Sequence, residues 1–136
     1  MPQMESTRDL KVAKGEYDFA VDGGAISTIV LRASSDDELG NDIPPAAIIL
    51  GGFIEVDTIL ASGGAATVAV NSEAAGDLLA AAAFGGVPWS TINRKSITPA
   101  FTGATSVKTT VRRQLAITIA AAALTGGKFR VVVFYV

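Results

Sequence analysis

Glu55 and Asp57 are a pair of carboxylates whose type and spacing could support acid–base chemistry. They stand two residues apart in the segment FIEVDTIL, which alternates apolar and polar residues as a β-strand does. In a strand, residues i and i+2 share a face about 7 Å apart, which is compatible with the two acids of a glycoside hydrolase. A strand with one solvent-facing side shows the same pattern without any catalysis. We expect this second interpretation, in which both carboxylates are solvent-facing strand residues.

Other groups that commonly carry catalysis are missing from the sequence. It has no cysteine and no histidine, so a thiol nucleophile, a disulfide, a thiolate metal site and an imidazole base are excluded. Its glycine pairs do not follow the spacing of phosphate-binding loops and are interpreted as turns. They begin at positions 23, 51, 63, 85 and 126. We therefore predict that the protein is not an enzyme and has no cofactor.

A short acidic segment offers oxygen ligands of the type that Ca²⁺ prefers. Within Ser34 to Asp42 it contains Asp36, Asp37, Glu38 and Asp42. The segment lacks the alternating acidic positions and the distal glutamate of an EF-hand loop. Because runs of charge are usually solvated, we predict an exposed loop rather than a metal site.

Basic residues are a further candidate for binding, because a group of them falls in the second half of the chain. The group comprises Arg94, Lys95, Lys108, Arg112 and Arg113. It could form a basic face that meets an acidic partner, or it could form local ion pairs; we favour the ion pairs. With a formal net charge of −2 and no recognisable binding motif, the chain is not expected to bind nucleic acid or an anionic membrane.

Trp89 is the single tryptophan of the sequence. Together with Tyr17 or Tyr135 it could form a patch on which a sugar stacks. A lone tryptophan is more often an anchor of the core, and we favour that interpretation.

The elements that would position these residues are mostly strands. Glu16 to Asp22 alternates with a period of two, and Ala25 to Arg32 is rich in β-branched residues. The turn Asp22-Gly23-Gly24 predicts that the two form an antiparallel hairpin.

A second hairpin is predicted around Ser62-Gly63-Gly64, between Ala47 to Leu60 and Ala66 to Val70. Gly51-Gly52 interrupts the first of these strands and predicts a bulge or a bend. One face of that strand should carry Ile54, Val56, Thr58 and Leu60.

One helix is predicted at Ser72 to Phe84, where Ser72 is a suitable N-cap, alanine and leucine favour helix, and Gly85-Gly86 ends it. Short strands are expected around Trp89 to Ile92 and Lys95 to Thr98.

A terminal hairpin is predicted from Arg113 to Leu124 and Lys128 to Val136 around Thr125-Gly126-Gly127, with Leu115, Ile117 and Ile119 on one face. The last strand, FRVVVFYV, is apolar on both faces. It should therefore lie in the centre of a sheet or beneath a neighbouring subunit.

These elements predict an all-β fold with one short helix, an antiparallel β-sandwich with jelly-roll topology. The length of 136 residues suits one domain. We expect an extended N-terminal arm at residues 1–14 and a single sandwich domain at residues 15–136. The first residues do not form a secretory signal, and no apolar run is long enough to span a membrane, so synthesis in the cytoplasm is expected.

Three segments carry a resemblance to a known class of proteins: Ile43 to Glu73, Ala74 to Ala83 and Leu115 to Val136. They resemble small virion structural proteins of tailed bacteriophages, and Asp77-Leu78-Leu79-Ala80 and Leu124 to Lys128 are the best-matched pieces. The resemblance implies a β-sandwich on the capsid exterior, a decoration or cement protein that binds the major capsid protein as a homotrimer. It brings no catalytic residues.

An alternative within the same virion context is a carbohydrate- or receptor-binding module of a head or tail fibre. That hypothesis uses Trp89 with the loop residues Thr91 and Asn93. For the decoration protein, residues 1–14 are expected to lie extended on a neighbouring subunit or on the capsid.

Overall fold

The computed structural model describes residues 10–33, 40–92, 94–97 and 107–136. These residues form ten strands and one helical turn: β1 Lys11–Asp18, α1 Phe19–Asp22, β2 Ser27–Val30, β3 Asp42–Ile43, β4 Ile49–Ser62, β5 Thr67–Asn71, β6 Leu79–Ala83, β7 Arg94–Ile97, β8 Arg113–Gln114, β9 Ala116–Ala120 and β10 Leu124–Tyr135. No helix within these ranges is long and apolar enough to cross a membrane.

Two four-stranded antiparallel sheets make up most of the fold. Sheet I has the order β1-β10-β4-β7, and sheet II has the order β2-β9-β5-β6. Strands β3 and β8 form a separate two-stranded sheet. The predicted all-β sandwich class is confirmed, and the strand order is consistent with a jelly roll.

The core lies between the sheets and takes apolar side chains from both. Alternation along each strand decides which residues enter it, so the inward faces predicted for β4 and β9 are confirmed at Ile54, Val56, Leu60, Leu115, Ile117 and Ile119. Thr58, which was expected on the same face, is exposed. The last strand, β10, lies between β1 and β4, as its two apolar faces predicted.

The hairpin predicted around Ser62-Gly63-Gly64 is wrong, although both of its strands exist. Strand β4 pairs with β10 and β7, whereas β5 pairs with β9 and β6 in the other sheet. The Ser62 hydroxyl donates to Ala123 O, and Gly64 N–H donates to Ser62 Oγ. These bonds hold a turn that leads from sheet I to sheet II.

The predicted N-terminal hairpin is also wrong, because its two strands belong to different sheets. Strand β1 pairs with β10 and β2 pairs with β9, and the two segments meet through a bridge between Glu16 and Arg32. The predicted strand ends at Asp18, whose carboxylate accepts from Ala20 N–H and caps the turn of α1.

The predicted terminal hairpin is wrong too. Its expected turn, Thr125-Gly126-Gly127, lies within β10. The chain leaves sheet II at Ala121, which has a φ of 69°. Ala122 N–H donates to Ala120 O at 2.8 Å, which is the pattern of a γ-turn.

The helix predicted at Ser72 to Phe84 is not formed. The Asp77 carboxylate accepts from the backbone N–H groups of Ser72, Glu73 and Ala74, and Gly76 has a φ of 68°. This side chain organises a loop, because it accepts from three successive backbone donors at the start of the segment and so closes the chain between Ser72 and Asp77. The alanines that follow form β6 beside β5.

A bulge lies next to the predicted position, since the register shift between the pairs Phe134–Gly51 and Tyr135–Ile49 leaves Leu50 without a partner in β10, whereas Gly51 and Gly52 are in regular register. Of the two short strands expected near Trp89, residues 87–92 form turns, and β7 covers Arg94–Ile97. Strand β1 includes Lys11–Lys14 of the predicted arm, and residues 1–9 lie outside the described part.

Candidate functional site

The outer face of sheet I carries a row of charges of alternating sign. The strand register places Glu16, Arg130, Glu55 and Arg94 next to one another across β1, β10, β4 and β7. Arg94 Nη2 lies 2.6 Å from Glu55 Oε2, and Arg130 Nη2 donates to the other oxygen of Glu55. We call these four residues the charge row. Its cations and anions neutralise one another within the chain.

Glu55 and Asp57 lie on this outer face, as the alternation of β4 predicted, and both are half-buried. The hydrogen bond from Arg94 lowers the pKa of Glu55, and the charge of Arg130 acts in the same direction. Asp57 accepts from Arg130 at 3.4 Å. A glycoside hydrolase needs one acid with a raised pKa, so the lowered pKa of Glu55 opposes its use as that acid.

An apolar group adjoins the charge row on the same face. It consists of Val12, Phe53, Val132 and Phe134 in the neighbouring rows of the sheet. The rings of Phe53 and Phe134 lie 6.2 Å apart, and the Arg94 guanidinium lies 4.7 Å from the Phe53 centroid. Aromatic residues and arginine are the types most enriched at the centres of protein interfaces.

Most of the basic residues singled out in the sequence pair with carboxylates. Arg94 contacts Glu55, Arg113 contacts Glu73, and Arg112 lies 3.6 Å from Asp42. These pairs support the local ion pairs favoured from the sequence. Lys108 is exposed and Lys95 is half-buried. An open pocket of about 400 Å³ is lined by Val30, Asp42, Ser72, Arg112, Arg113 and Gln114.

A further charged group ties the ends of β1 and β2 together. Arg32 Nε donates to Asp22 Oδ1 at 2.9 Å and its guanidinium lies 3.6 Å from Glu16. The Tyr17 hydroxyl donates to Gly23 O, and burial raises the pKa of Tyr17 to about 12. These contacts connect β1, α1 and the segment after β2.

The aromatic residues proposed for sugar stacking belong to the core. Trp89 and Tyr17 are both 0% exposed, and their rings lie 4.7 Å and 5.2 Å from that of Phe129. Tyr135 is buried as well. Because these rings are buried, the sugar-binding hypothesis loses the aromatic platform on which it depended. Asn93 lies outside the described residues.

The acidic segment is described only at its end. Asp36, Asp37 and Glu38 lie outside the described residues, and Asp42 accepts from Gln114. Among the residues that the structure does describe, no group of three or more carboxylates could hold a metal ion.

Sequence comparison gives no relative of this chain: no protein-family model and no curated protein sequence matches it. Its fold does match chains in three phage capsid structures. The acid-stable capsid of Helicobacter pylori bacteriophage KHP30 contains a chain with 15% identity and a TM-score of 0.59, over 93% of this chain and 86% of that one.

The other two matches are of the same quality. A chain in the capsid asymmetric unit of cyanophage Pam1 has 21% identity and a TM-score of 0.61, over 93% of this chain and 84% of that one. A chain in the capsid of Ralstonia phage GP4 has 19% identity and a TM-score of 0.60, over 94% of this chain and 84% of that one. At these identities the likeness establishes the fold.

Proposed function

We propose that this chain is a structural protein of a bacteriophage virion that binds the capsid exterior as a decoration or cement protein. The observation that carries the proposal is the match of almost the whole chain to chains in three phage capsids. The ion pairs of Glu55 and Asp57 support a role without catalysis. A cement protein needs buried contact area rather than reactive groups.

The outer face of sheet I is the proposed contact with the major capsid protein. Phe53 and Phe134 supply apolar area beside the charge row, whose ions are already paired with one another. Removing paired ions from water costs less free energy than removing isolated ions, because each charge keeps its partner when water is displaced. The chain is proposed to act as a homotrimer, so that several modest contacts act together.

The test uses capsids assembled from the major capsid protein encoded with this chain, with and without the purified protein. Electron microscopy is expected to show added density on the outer surface, and the decorated shells should rupture at a higher temperature. Shells that bind none of the protein would overturn the proposal. Native mass measurement gives the number of copies in the assembled unit.

A pair of variants locates the contact. Phe134→Ser on the outer face of sheet I is expected to lower capsid occupancy, whereas Val87→Ser, at an exposed loop residue, should leave it unchanged. Equal occupancy for both variants would exclude this face. Residues 1–9 are proposed to add a contact of their own, and their deletion should lower occupancy without unfolding the domain.

A further inference from the structure

The charges on the outer face of sheet I cancel one another. The charge row contributes two carboxylates and two guanidinium groups. Strand alternation and the strand register place four further ionic side chains of the described residues on the same face: Lys14, Asp18, Asp57 and Lys128. They add two positive and two negative charges. The described part of this face therefore has a formal net charge of zero, with the two signs interleaved.

The ions at the centre of this face are engaged with neighbours in the same chain. Arg94 Nη2 lies 2.6 Å from Glu55 Oε2, and Arg130 Nη2 donates to Glu55 Oε1. Arg130 also contacts Asp57, and the guanidinium of Arg94 lies over the ring of Phe53. A charged group of a partner would have to compete with these contacts. The charge row is therefore a poor anchor for an oppositely charged partner.

The apolar group beside the charge row offers a different kind of contact. Phe53 and Phe134 are half-buried, so part of each ring is open to solvent. Val12 lies opposite Phe134 in the register, and Val132 lies opposite Phe53. Covering these side chains releases free energy in proportion to the apolar area that is removed from water. That gain requires an apolar surface on the partner, whatever charges the partner carries elsewhere.

We infer that the outer face of sheet I takes an uncharged, apolar patch of the shell protein. The inference rests on the proposed function, which supplies the shell protein as the occupant. A patch of one sign would meet as many like charges as opposite ones here, so its attraction would cancel. It would also lose water without gaining a new ion pair. An apolar patch has neither cost and matches the rings of Phe53 and Phe134.

Attachment through an uncharged patch should respond little to salt. The measurement is the concentration of the full chain that half-saturates shells of the major capsid protein, obtained by cosedimentation. Between about 0.1 and 1 M NaCl the Debye length falls from about 10 to 3 Å, and the half-saturating concentration should change less than about twofold. Electron microscopy checks that the shells are intact at both salt concentrations. This titration needs no variant.

Variants that change one charge reveal the sign of the partner patch. Glu55→Gln removes the carboxylate that Arg94 and Arg130 share, and Arg94→Gln removes one of the two cations on Glu55. Against an uncharged patch each should raise the half-saturating concentration about threefold or more, because an ion that has lost a partner is covered. The double variant is neutral again and should bind more tightly than either single variant. An acidic patch would instead make Glu55→Gln bind more tightly than the wild type, and a basic patch would do so for Arg94→Gln.

Matched controls make the same changes of net charge on the other sheet. Ala81→Lys and Ala81→Glu, at an exposed position of β6, should leave binding within about twofold of the wild type, and urea unfolding checks that every variant is folded.

The outcomes separate this inference from the proposed function. Tighter binding by Glu55→Gln or by Arg94→Gln, wild-type binding by both, or weakening by salt of about tenfold or more would overturn the inference. Each of these results would leave shell binding itself standing. Shells that bind none of the wild-type protein would overturn the proposed function and this inference together.

Discussion

Arg113 and Glu73 form a two-pronged ion pair, with Nε donating to Oε1 and Nη2 donating to Oε2, both at 2.9 Å. Thr110 donates to the same carboxylate through its backbone N–H and its hydroxyl. The pair joins the loop after β5 to the segment that enters β8. These hydrogen bonds, with that of Arg113 the largest cause, lower the pKa of Glu73 to about 2.

The ion pair between Glu73 and Arg113 should make the free energy of unfolding depend on pH. Because the folded-state pKa of about 2 lies below the ordinary value of about 4.3, the stabilisation is complete above about pH 4.3 and is lost as the pH falls towards 2. Glu73→Gln should remove this part of the dependence, so that its urea midpoint differs most from the wild type above pH 5 and least at pH 2. Thr110→Val, which removes one of the donors, should give a smaller shift. Parallel curves for Glu73→Gln and the wild type would contradict the assignment.

Replacing Ala121 with glycine should make the protein more stable. Its φ of 69° lies in the left-handed region, which costs an alanine about 1–2 kcal/mol and a glycine almost nothing. After the greater freedom of glycine in the unfolded chain is subtracted, Ala121→Gly should raise the free energy of unfolding by about 0.5–1 kcal/mol. Ala120→Gly, one residue earlier in β9, should lower it by about 0.5–1 kcal/mol. Denaturant unfolding measures both, and a loss of stability at position 121 would contradict the argument.

The sequence predicted strands and faces well because alternation is a local signal. Ile117 and Ile119 reach the core, Glu55 stays on the outer side, and the doubly apolar β10 lies inside its sheet. Pairing was predicted poorly, since a glycine turn gives no information on whether the next strand returns beside the previous one or crosses to the facing sheet. All three predicted hairpins failed at this step.

Two further features depend on distant residues and could not be read from local sequence. The alanine-rich segment after Gly76 favours helix by intrinsic propensity, but pairing with β5 outweighs a preference of a few tenths of a kcal/mol per residue. The charge row required the pairing of β4 with β7 and β10, which bring Arg94 and Arg130 to Glu55.

Phe129 is expected to be central to stability, because its ring contacts those of both Tyr17 and Trp89. Phe129→Ala should lower the free energy of unfolding by about 3–5 kcal/mol. The emission of Trp89, the single tryptophan, should move to longer wavelength as its surroundings loosen. Phe53→Ala, on the half-buried outer face, should cost less and leave the emission unchanged. An emission spectrum of an exposed indole in the wild type would contradict the burial of Trp89.

Gly51 and Gly52 should respond very differently to the same substitution. A Cβ at Gly52 would lie 2.1 Å from Val132 O and 3.0 Å from Val133 Cα, whereas a Cβ at Gly51 would meet nothing within 4 Å. The atoms opposite Gly52 belong to the backbone of the central strand β10, so they cannot move aside as a flexible side chain would. Relief would require β4 and β10 to separate.

Gly52→Ala is therefore expected to lower the free energy of unfolding by about 2–3 kcal/mol or more, and Gly51→Ala should stay within about 0.5 kcal/mol of the wild type. Urea unfolding of the two variants measures the difference, and each serves as the control for the other, because adjacent glycines share nearly the same unfolded-state entropy. Similar costs at both positions would mean that β4 does not approach β10 as closely as the register of sheet I requires.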